Sequence, residues 1–226
     1  MVFCTITNSQ ISKIDKDLFE KIEQKIIDLH QDSDKDSFET IKKNLTNPPI
    51  LNDDDFAFEV AYVILASGFS QKTAKRIFGD ICNHLKKNKE VSEDELFEMF
   101  HNKNKTNAIA KVWNNRKNYR NQFYSLKSDD EKLNFLETLP YIGKTTKNHI
   151  ARNLGISVPK YDIWIQRLGI SLLGKDETEK SPPDENVRKY CDKMFERLQK
   201  ETNLPIGYLD AVLWKACQIG ILFFEY

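Results

Sequence analysis

One stretch of the chain combines residues suited to binding a phosphate with a carboxylate suited to catalysis. Residues 139–148, LPYIGKTTKN, join a short apolar turn to a predicted helix, and residues 160–168, KYDIWIQRL, follow closely. The N-terminus of a helix presents backbone N–H groups that lack intrahelical partners, and such groups bind anions. Asp162 stands directly before the next predicted helix, which begins at Ile163. The pattern therefore predicts an anion-binding turn beside a candidate catalytic acid.

The same stretch resembles the helix-hairpin-helix (HhH-GPD) DNA glycosylase superfamily. In that family a hairpin of the pattern Leu-Pro-Gly-hydrophobic-Gly precedes a helix, and a catalytic Asp follows further along the chain. The hairpin positions are matched here by Leu139, Pro140, Ile142 and Gly143. Asp162 matches the catalytic Asp, and the likeness extends from about Asp53 to Leu168 and more loosely to the C-terminus.

The resemblance implies a base-excision repair enzyme that flips a damaged base, alkylated or oxidised, out of double-stranded DNA and hydrolyses its N-glycosidic bond. Cleavage develops positive charge on the sugar, and a carboxylate near the anomeric carbon stabilises that charge. Asp162 is the residue placed to do this, although Asp is also a favoured N-cap, and the two roles are compatible. The alternative is a non-catalytic helix-hairpin-helix protein that binds DNA, which has no need of Asp162.

The hairpin sequence favours a monofunctional enzyme. Bifunctional relatives carry a lysine two residues after the second hairpin glycine, where its amine forms a Schiff base with the sugar. Thr145 occupies that position here, so water would be the nucleophile. Lys144 is rotated by about 100° around the helix from that position, and Lys147 is nearby. A bifunctional glycosylase and lyase that uses Lys144 in a shifted hairpin register stays open as an alternative.

The resemblance also implies how the hairpin binds DNA. Backbone N–H groups near Tyr141, Gly143 and Thr145 would bind a phosphate, with Lys144 and Lys147 alongside. A monovalent cation, Na⁺ or K⁺, would be held by the carbonyl groups of Glu137, Leu139 and Ile142. Tyr141 replaces the first hairpin glycine, and a side chain there is expected to strain a turn that needs positive φ.

Aromatic residues are candidates for opening the duplex and holding the flipped base. The apolar run Phe56–Ala66 breaks at Ser67–Gln71, which places Phe69 at a wedge position. Gln71 is the wedge if the register differs by two, and packing of Phe69 in the core is the alternative. Stacking on aromatic rings contributes about 1–3 kcal/mol per base. The candidates for the base pocket are Tyr161, Trp164 and Trp214, each of which is otherwise a core residue.

The elements that must position these residues are predicted to be helices throughout. The chain has only eight glycines, and its apolar residues recur every three or four positions. The first helix is predicted from Ile11 to Leu29, later ones start near Asp184 and Pro205, and Ser92 and Ser128 each precede a Glu in a capping-box pattern. The resemblance implies an all-α fold of two helical domains, 51–168 with the hairpin and 1–50 plus 169–226, with an active-site cleft between them.

The net charge of zero conceals two basic segments. Residues 103–122 contain six basic residues and no acidic one: Lys103, Lys105, Lys111, Arg116, Lys117 and Arg120. Residues 144–167 contain five basic residues and Asp162 alone as an acid. If both segments face the same side of the protein, they would form a positive surface for phosphate. Ordinary solvated helix faces are the alternative.

Cysteine usage and hydropathy bound the remaining possibilities. Cys4, Cys82, Cys191 and Cys217 form no Cys-x-x-Cys pair, so we expect free thiols and no zinc ribbon, disulfide framework or iron–sulfur cluster. No cofactor is expected to be required. The chain lacks an apolar run of about 18 residues and an N-terminal secretory pattern. We therefore expect a soluble monomer, without a membrane partner, in the cytoplasm or with DNA in the nucleoid or nucleus.

Overall fold

The computed structural model describes residues 14–29, 33–69, 71–172 and 185–222. Across these ranges the chain is all-α, as predicted, with no strand and with twelve helices. They are α1 (Lys16–Leu29), α2 (Ser33–Thr46), α3 (Asp53–Ala66), α4 (Gln71–Lys87), α5 (Glu93–Met99), α6 (Lys103–Asn114), α7 (Arg116–Ser125), α8 (Asp129–Glu137), α9 (Lys144–Asn153), α10 (Ile163–Leu172), α11 (Glu185–Thr202) and α12 (Ile206–Gln218). Among the described helices, none has both the length and the apolar character needed to cross a membrane.

Side-chain caps define several helix starts. Both predicted capping boxes are present, Ser92 with Glu95 at α5 and Ser128 with Glu131 at α8. Asn52 accepts the Asp55 amide at the start of α3, and Asn102 accepts the Lys105 amide at the start of α6. These acceptors satisfy N–H groups that have no partner within the helix. Three residues named in the predictions lie outside the described ranges: Ile11 at the start of the first helix, Asp184 near the start of a later one, and Cys4.

The chain divides into two compact units, and the central unit comprises Pro49–Ile156. Helix α3 lies at its centre and packs against α4, α6, α7 and α9. Seven of its residues are buried, and they surround the helix: Phe56, Ala57, Val60, Ala61, Val63, Ile64 and Leu65. A helix that is apolar on all sides must be enclosed by others, which explains why this segment forms the core.

The terminal unit comprises Met1–Pro48 and Ser157–Tyr226. Helix α12 is buried along most of its length and packs against α1, α2, α10 and α11. Its Tyr208 hydroxyl donates a hydrogen bond to Glu23 of α1. The free thiols of Cys191 and Cys217 are buried in this core, and burial raises the pKa of Cys191 to about 12. The N-terminal and C-terminal helices thus share one core.

The unit boundaries differ from the predicted ones. The predicted boundaries follow residues 50 and 168, whereas the structure divides after Pro48 and after Ile156. Helix α10 causes the second difference, because its Ile165 and Leu168 are fully buried in the core of the terminal unit. A Cβ on Gly169 would meet the Cys191 sulfur at 2.5 Å, so α10 packs closely on α11. Asp162 therefore belongs to the terminal unit and the hairpin to the central unit.

Candidate functional site

The predicted hairpin turn joins α8 to α9 in the central unit. Leu139 and Ile142 are buried, and the Ile142 amide donates to the Leu139 carbonyl over 3.1 Å. Tyr141, at the top of the turn, has a φ of +67° and is 46% exposed. Left-handed backbone costs an L-residue about 1–2 kcal/mol, whereas glycine adopts it freely. The turn thus holds a left-handed residue although a tyrosine stands there.

The N-terminus of α9 is open to an anion. Gly143 is its N-cap and provides no side-chain acceptor for the first amides of the helix. The Gly143 amide donates to the Thr146 hydroxyl over 2.8 Å, which fixes the entry of the chain into α9. Lys144 and Thr145 are exposed at this end. Amides and the positive end of the helix dipole together suit a phosphate.

Lys147 takes a different role from Lys144. Its ammonium forms an ion pair with Glu137, the last residue of α8, and so links the two helices of the hairpin. This hydrogen bond lowers the pKa of the Glu137 carboxyl. Lys147 therefore braces the hairpin, whereas Lys144 extends from its exposed end.

The proposed ligands of a monovalent cation lie at the end of α8 and in the turn that follows it. The Leu139 carbonyl already accepts the Ile142 amide, but a carbonyl oxygen has a second lone pair. Carbonyl oxygens are hard donors of the kind that alkali cations take, and a cation held by Glu137, Leu139 and Ile142 stays a proposal. Across the described residues no cluster of three His, Cys, Asp or Glu residues offers an alternative metal site.

Asp162 is the N-cap of α10. Its Oδ1 atom accepts the amides of Trp164 at 3.0 Å and Ile165 at 3.3 Å. Its Oδ2 atom lies 3.6 Å from the ammonium of Lys160, and 14% of the side chain is exposed. One oxygen thus fixes the orientation of the carboxylate and the other is held beside a cation. Capping and a catalytic use of Oδ2 are compatible in this geometry.

Two polar residues that contact the segment carrying Asp162, or belong to it, are missed by sequence reasoning. Lys160, counted there only as a charge, carries an ammonium that lies 5.5 Å from the centroid of the Trp214 ring. Its amide donates to Asp210, which is fully buried on α12. Asp210 is an acidic residue within an apolar segment of α12, and an acidic residue in such a segment is the sequence signal that could have identified it. Together these contacts hold the segment before α10 against α12.

The three predicted pocket aromatics have different surroundings. Trp214 lies beside Lys160, whose ammonium also lies 3.6 Å from Asp162. Trp164 is partly buried against the core, with the Arg167 guanidinium 5.1 Å from its ring. Tyr161 is only 8% exposed and belongs to the core. Trp214 is therefore the strongest of the three candidates, because it shares a neighbour with the carboxylate.

Phe69 lies in the loop between α3 and α4 and is 39% exposed. Its ring meets Phe100 edge-on at 5.8 Å, and Gly68 before it has a φ of +78°. This exposure fits a wedge better than a core residue. Gln71, the alternative wedge, is the first residue of α4, and its side chain lies outside the described part of the chain.

The basic segment 103–122 does not form one positive surface. Lys105 is only 2% exposed, and its ammonium donates to the carbonyl groups of Leu65 and Ser67. Arg116 pairs with Asp54, and Arg120 donates to the Leu51 carbonyl. These three cations bind the ends of α3, which corrects the prediction for them. The exposed members of the segment are Lys103, Lys111 and Lys117.

Burial of Lys105 predicts an unusual dependence of stability on pH. Desolvation lowers its pKa from 10.5 to about 8, so above pH 8 the unfolded chain binds more protons than the folded chain. Stability therefore rises with pH in that window. We expect the melting temperature of the wild type to rise relative to that of Lys105→Met between pH 7.5 and pH 9. A constant difference between the two proteins would contradict the assignment.

Solved structures give the comparison with known proteins. No protein-family model matches the sequence, and no curated protein matches it significantly. The 8-oxoguanine DNA glycosylase of Methanocaldococcus jannaschii aligns with a TM-score of 0.66 and 20% identity over 91% of this chain and 95% of that one. The 8-oxoguanine DNA glycosylase of Thermotoga maritima aligns with a TM-score of 0.64 and 16% identity over 88% and 94%. The chain therefore shares the fold of these two glycosylases.

Proposed function

We propose that the chain is a DNA base-excision glycosylase that hydrolyses the N-glycosidic bond of a damaged base. The observation that carries the proposal is the Asp162 carboxylate, which two backbone amides hold in place beside the Lys160 ammonium. The shared fold with two 8-oxoguanine DNA glycosylases supports it. The open N-terminus of α9 supports it independently, because it offers a phosphate contact.

The proposed chemistry uses one water molecule. As the bond between the anomeric carbon and the base nitrogen breaks, its electron pair leaves with the base, which takes up a proton. Asp162 stabilises the positive charge on the sugar and accepts a proton from the attacking water, whose oxygen bonds to the anomeric carbon. A carboxylate already held in place needs no reorganisation in the transition state, and the cap of α10 provides that hold.

The hairpin is proposed to bind the DNA backbone. The first amides of α9 would donate to a phosphate, and Lys144 would add a charge at the same end. Thr145 stands where bifunctional relatives carry a lysine, so we propose a monofunctional enzyme. The cation held by the hairpin carbonyls would neutralise the phosphate further.

The first substrate to test is 8-oxoguanine in duplex DNA, because both structural neighbours are 8-oxoguanine DNA glycosylases. An alkylated purine is the second candidate. A cationic base leaves readily and is attracted to an aromatic ring, and Trp214, whose ring already lies 5.5 Å from the Lys160 ammonium, is the candidate ring.

A panel of duplexes, each with one defined lesion, tests the proposal. We expect alkali-labile abasic sites in at least one duplex and none in the undamaged control. The same panel with Asp162→Asn shows whether this protein and not a contaminant makes the sites. Binding of the duplexes without any abasic site would favour the non-catalytic DNA-binding alternative.

Phe69→Ala is expected to slow excision from duplex DNA by about tenfold and from single strands much less, because a wedge matters only where a stack must be opened. Single-turnover rates on both substrates measure this. Ile50→Ala is the matched control, since it removes another exposed apolar side chain of the central unit. Equal losses on both substrates, with a lower melting temperature, would instead mark Phe69 as a packing residue.

A further inference from the structure

Lys105 is a buried lysine with an unusual set of neighbours. Its ammonium, on α6, donates to the carbonyl of Leu65 at 3.1 Å and to that of Ser67. It also lies 4.4 Å from the centroid of the Phe69 ring and 5.8 Å from that of Tyr141. Lysines are almost never this buried unless they are paired. Here the neighbours are two carbonyls and two aromatic rings.

The carbonyls belong to the C-terminal end of α3. The last carbonyls of a helix lack intrahelical partners and carry the negative end of its dipole, so an ammonium there is favourable. Burial of a charge nevertheless costs free energy, and burial lowers the pKa of Lys105 to about 8. An uncharged cap would avoid that cost. The positive charge of Lys105 therefore has a role beyond capping the C-terminal carbonyls of α3.

The two aromatic rings explain why a positively charged residue stands at this position. Phe69 and Tyr141 are 39% and 46% exposed, so both rings present surface to solvent. They come from segments far apart in sequence, the loop after α3 and the hairpin turn. A cation attracts the faces of both rings, and its hydrogen bonds tie it to the backbone that leads into Phe69. One ammonium therefore links the two exposed rings.

We propose that Lys105 is a positioning residue that holds Phe69 and Tyr141 as one preorganised pair of aromatic wedges for opening duplex DNA. The inference rests on the proposed glycosylase function. Gly68, at φ +78°, turns the chain directly before Phe69, a conformation that glycine adopts without strain. Fixing both rings before DNA arrives avoids the entropic cost of ordering them on binding. Lys105 acts through the rings and has no part in bond cleavage.

The test compares excision from duplex and single-stranded DNA that carry the same lesion. Lys105→Met keeps an unbranched apolar chain and removes the ammonium. We expect its single-turnover rate to fall about tenfold on the duplex and less than about twofold on the single strand, because only the duplex must be opened. Lys87→Met is the control, since Lys87 is an exposed lysine of α4 in the same unit, and it should leave the ratio of the two rates unchanged.

A double variant separates positioning from general destabilisation. If Lys105 acts through Phe69, adding Lys105→Met to Phe69→Ala should slow duplex excision little beyond Phe69→Ala alone. Ile109→Val provides a stability control, because Ile109 is a fully buried residue of α6. It should lower the melting temperature without changing the ratio. If Lys105→Met does not fold, Lys105→Gln is measured in the same way.

Each outcome decides the inference. Equal slowing of excision by Lys105→Met on both substrates would overturn the positioning role. A double variant whose rate loss is the product of the two single losses would also overturn it. In either case, excision by the wild type would uphold the glycosylase function. A wild type that excises nothing from the lesion panel would overturn the proposed function and this inference with it. The role would be established if Lys105→Met lowers the excision rate on the duplex alone and adds little to the effect of Phe69→Ala in the double variant.

Discussion

Asp162→Asn is expected to lower the excision rate at least about a hundredfold, as for loss of a catalytic acid or base, while affinity for lesion DNA changes little. Asn keeps an oxygen that can accept the amides of Trp164 and Ile165, and Asn is as good an N-cap as Asp. The substitution therefore removes the charge and spares the cap. Single-turnover excision and equilibrium binding to the same duplex measure the two effects.

A second substitution isolates the structural role of Asp162. Asp162→Ala loses the cap as well as the charge and should cost about 1 kcal/mol of stability more than Asp162→Asn. Ser128→Ala is the matched control, because it removes the N-cap of α8 in the central unit. It should lower stability without slowing excision. Near-normal excision by Asp162→Asn would remove this residue from the mechanism, and failure of that variant to fold would make it purely structural.

Borohydride is expected to trap little or no covalent adduct between the wild-type protein and lesion DNA. Trapping requires an amine that forms an imine with the opened sugar, and Thr145 has none. Thr145→Lys places an amine at the position that bifunctional relatives use, and we expect this variant to give a trapped adduct on the same substrate. The yield of the shifted band in denaturing gels measures both.

Strong trapping by the wild type would contradict the monofunctional proposal. Lys144→Gln, Lys147→Gln and Lys160→Gln would then identify the nucleophile. Loss of the trapped adduct in Lys144→Gln alone would show that the hairpin register is shifted. Lys160 joins the set because its ammonium lies 3.6 Å from the Asp162 carboxylate, and Lys147 is held by Glu137.

Local patterns predict the helices and their caps well, because those signals lie within a few residues. The almost continuous apolar run Phe56–Ala66 predicts the buried α3, and the Ser-to-Glu spacing predicts the two capping boxes. The hairpin is recognised for the same reason, since its buried residues and its N-cap glycine are adjacent in sequence.

The contacts that sequence reasoning misses are those between distant segments. Lys105 is buried because the end of α3 lies against it, and the two are about forty positions apart. The division of the chain after Ile156 depends on the packing of Gly169 of α10 onto α11, which no local pattern reports. The buried Asp210 likewise acquires its partner, the Lys160 amide, only through the fold.

Release of free base from a duplex with a single 8-oxoguanine or a single alkylated purine is the most direct test of the central claim. Mass spectrometry of the supernatant identifies the base, and alkali cleavage counts the abasic sites left in the strand. We predict that the wild type releases one of these bases in equal number with abasic sites, and that Asp162→Asn releases almost none. Tight binding of both duplexes by the wild type, with every lesion left intact, would contradict the account.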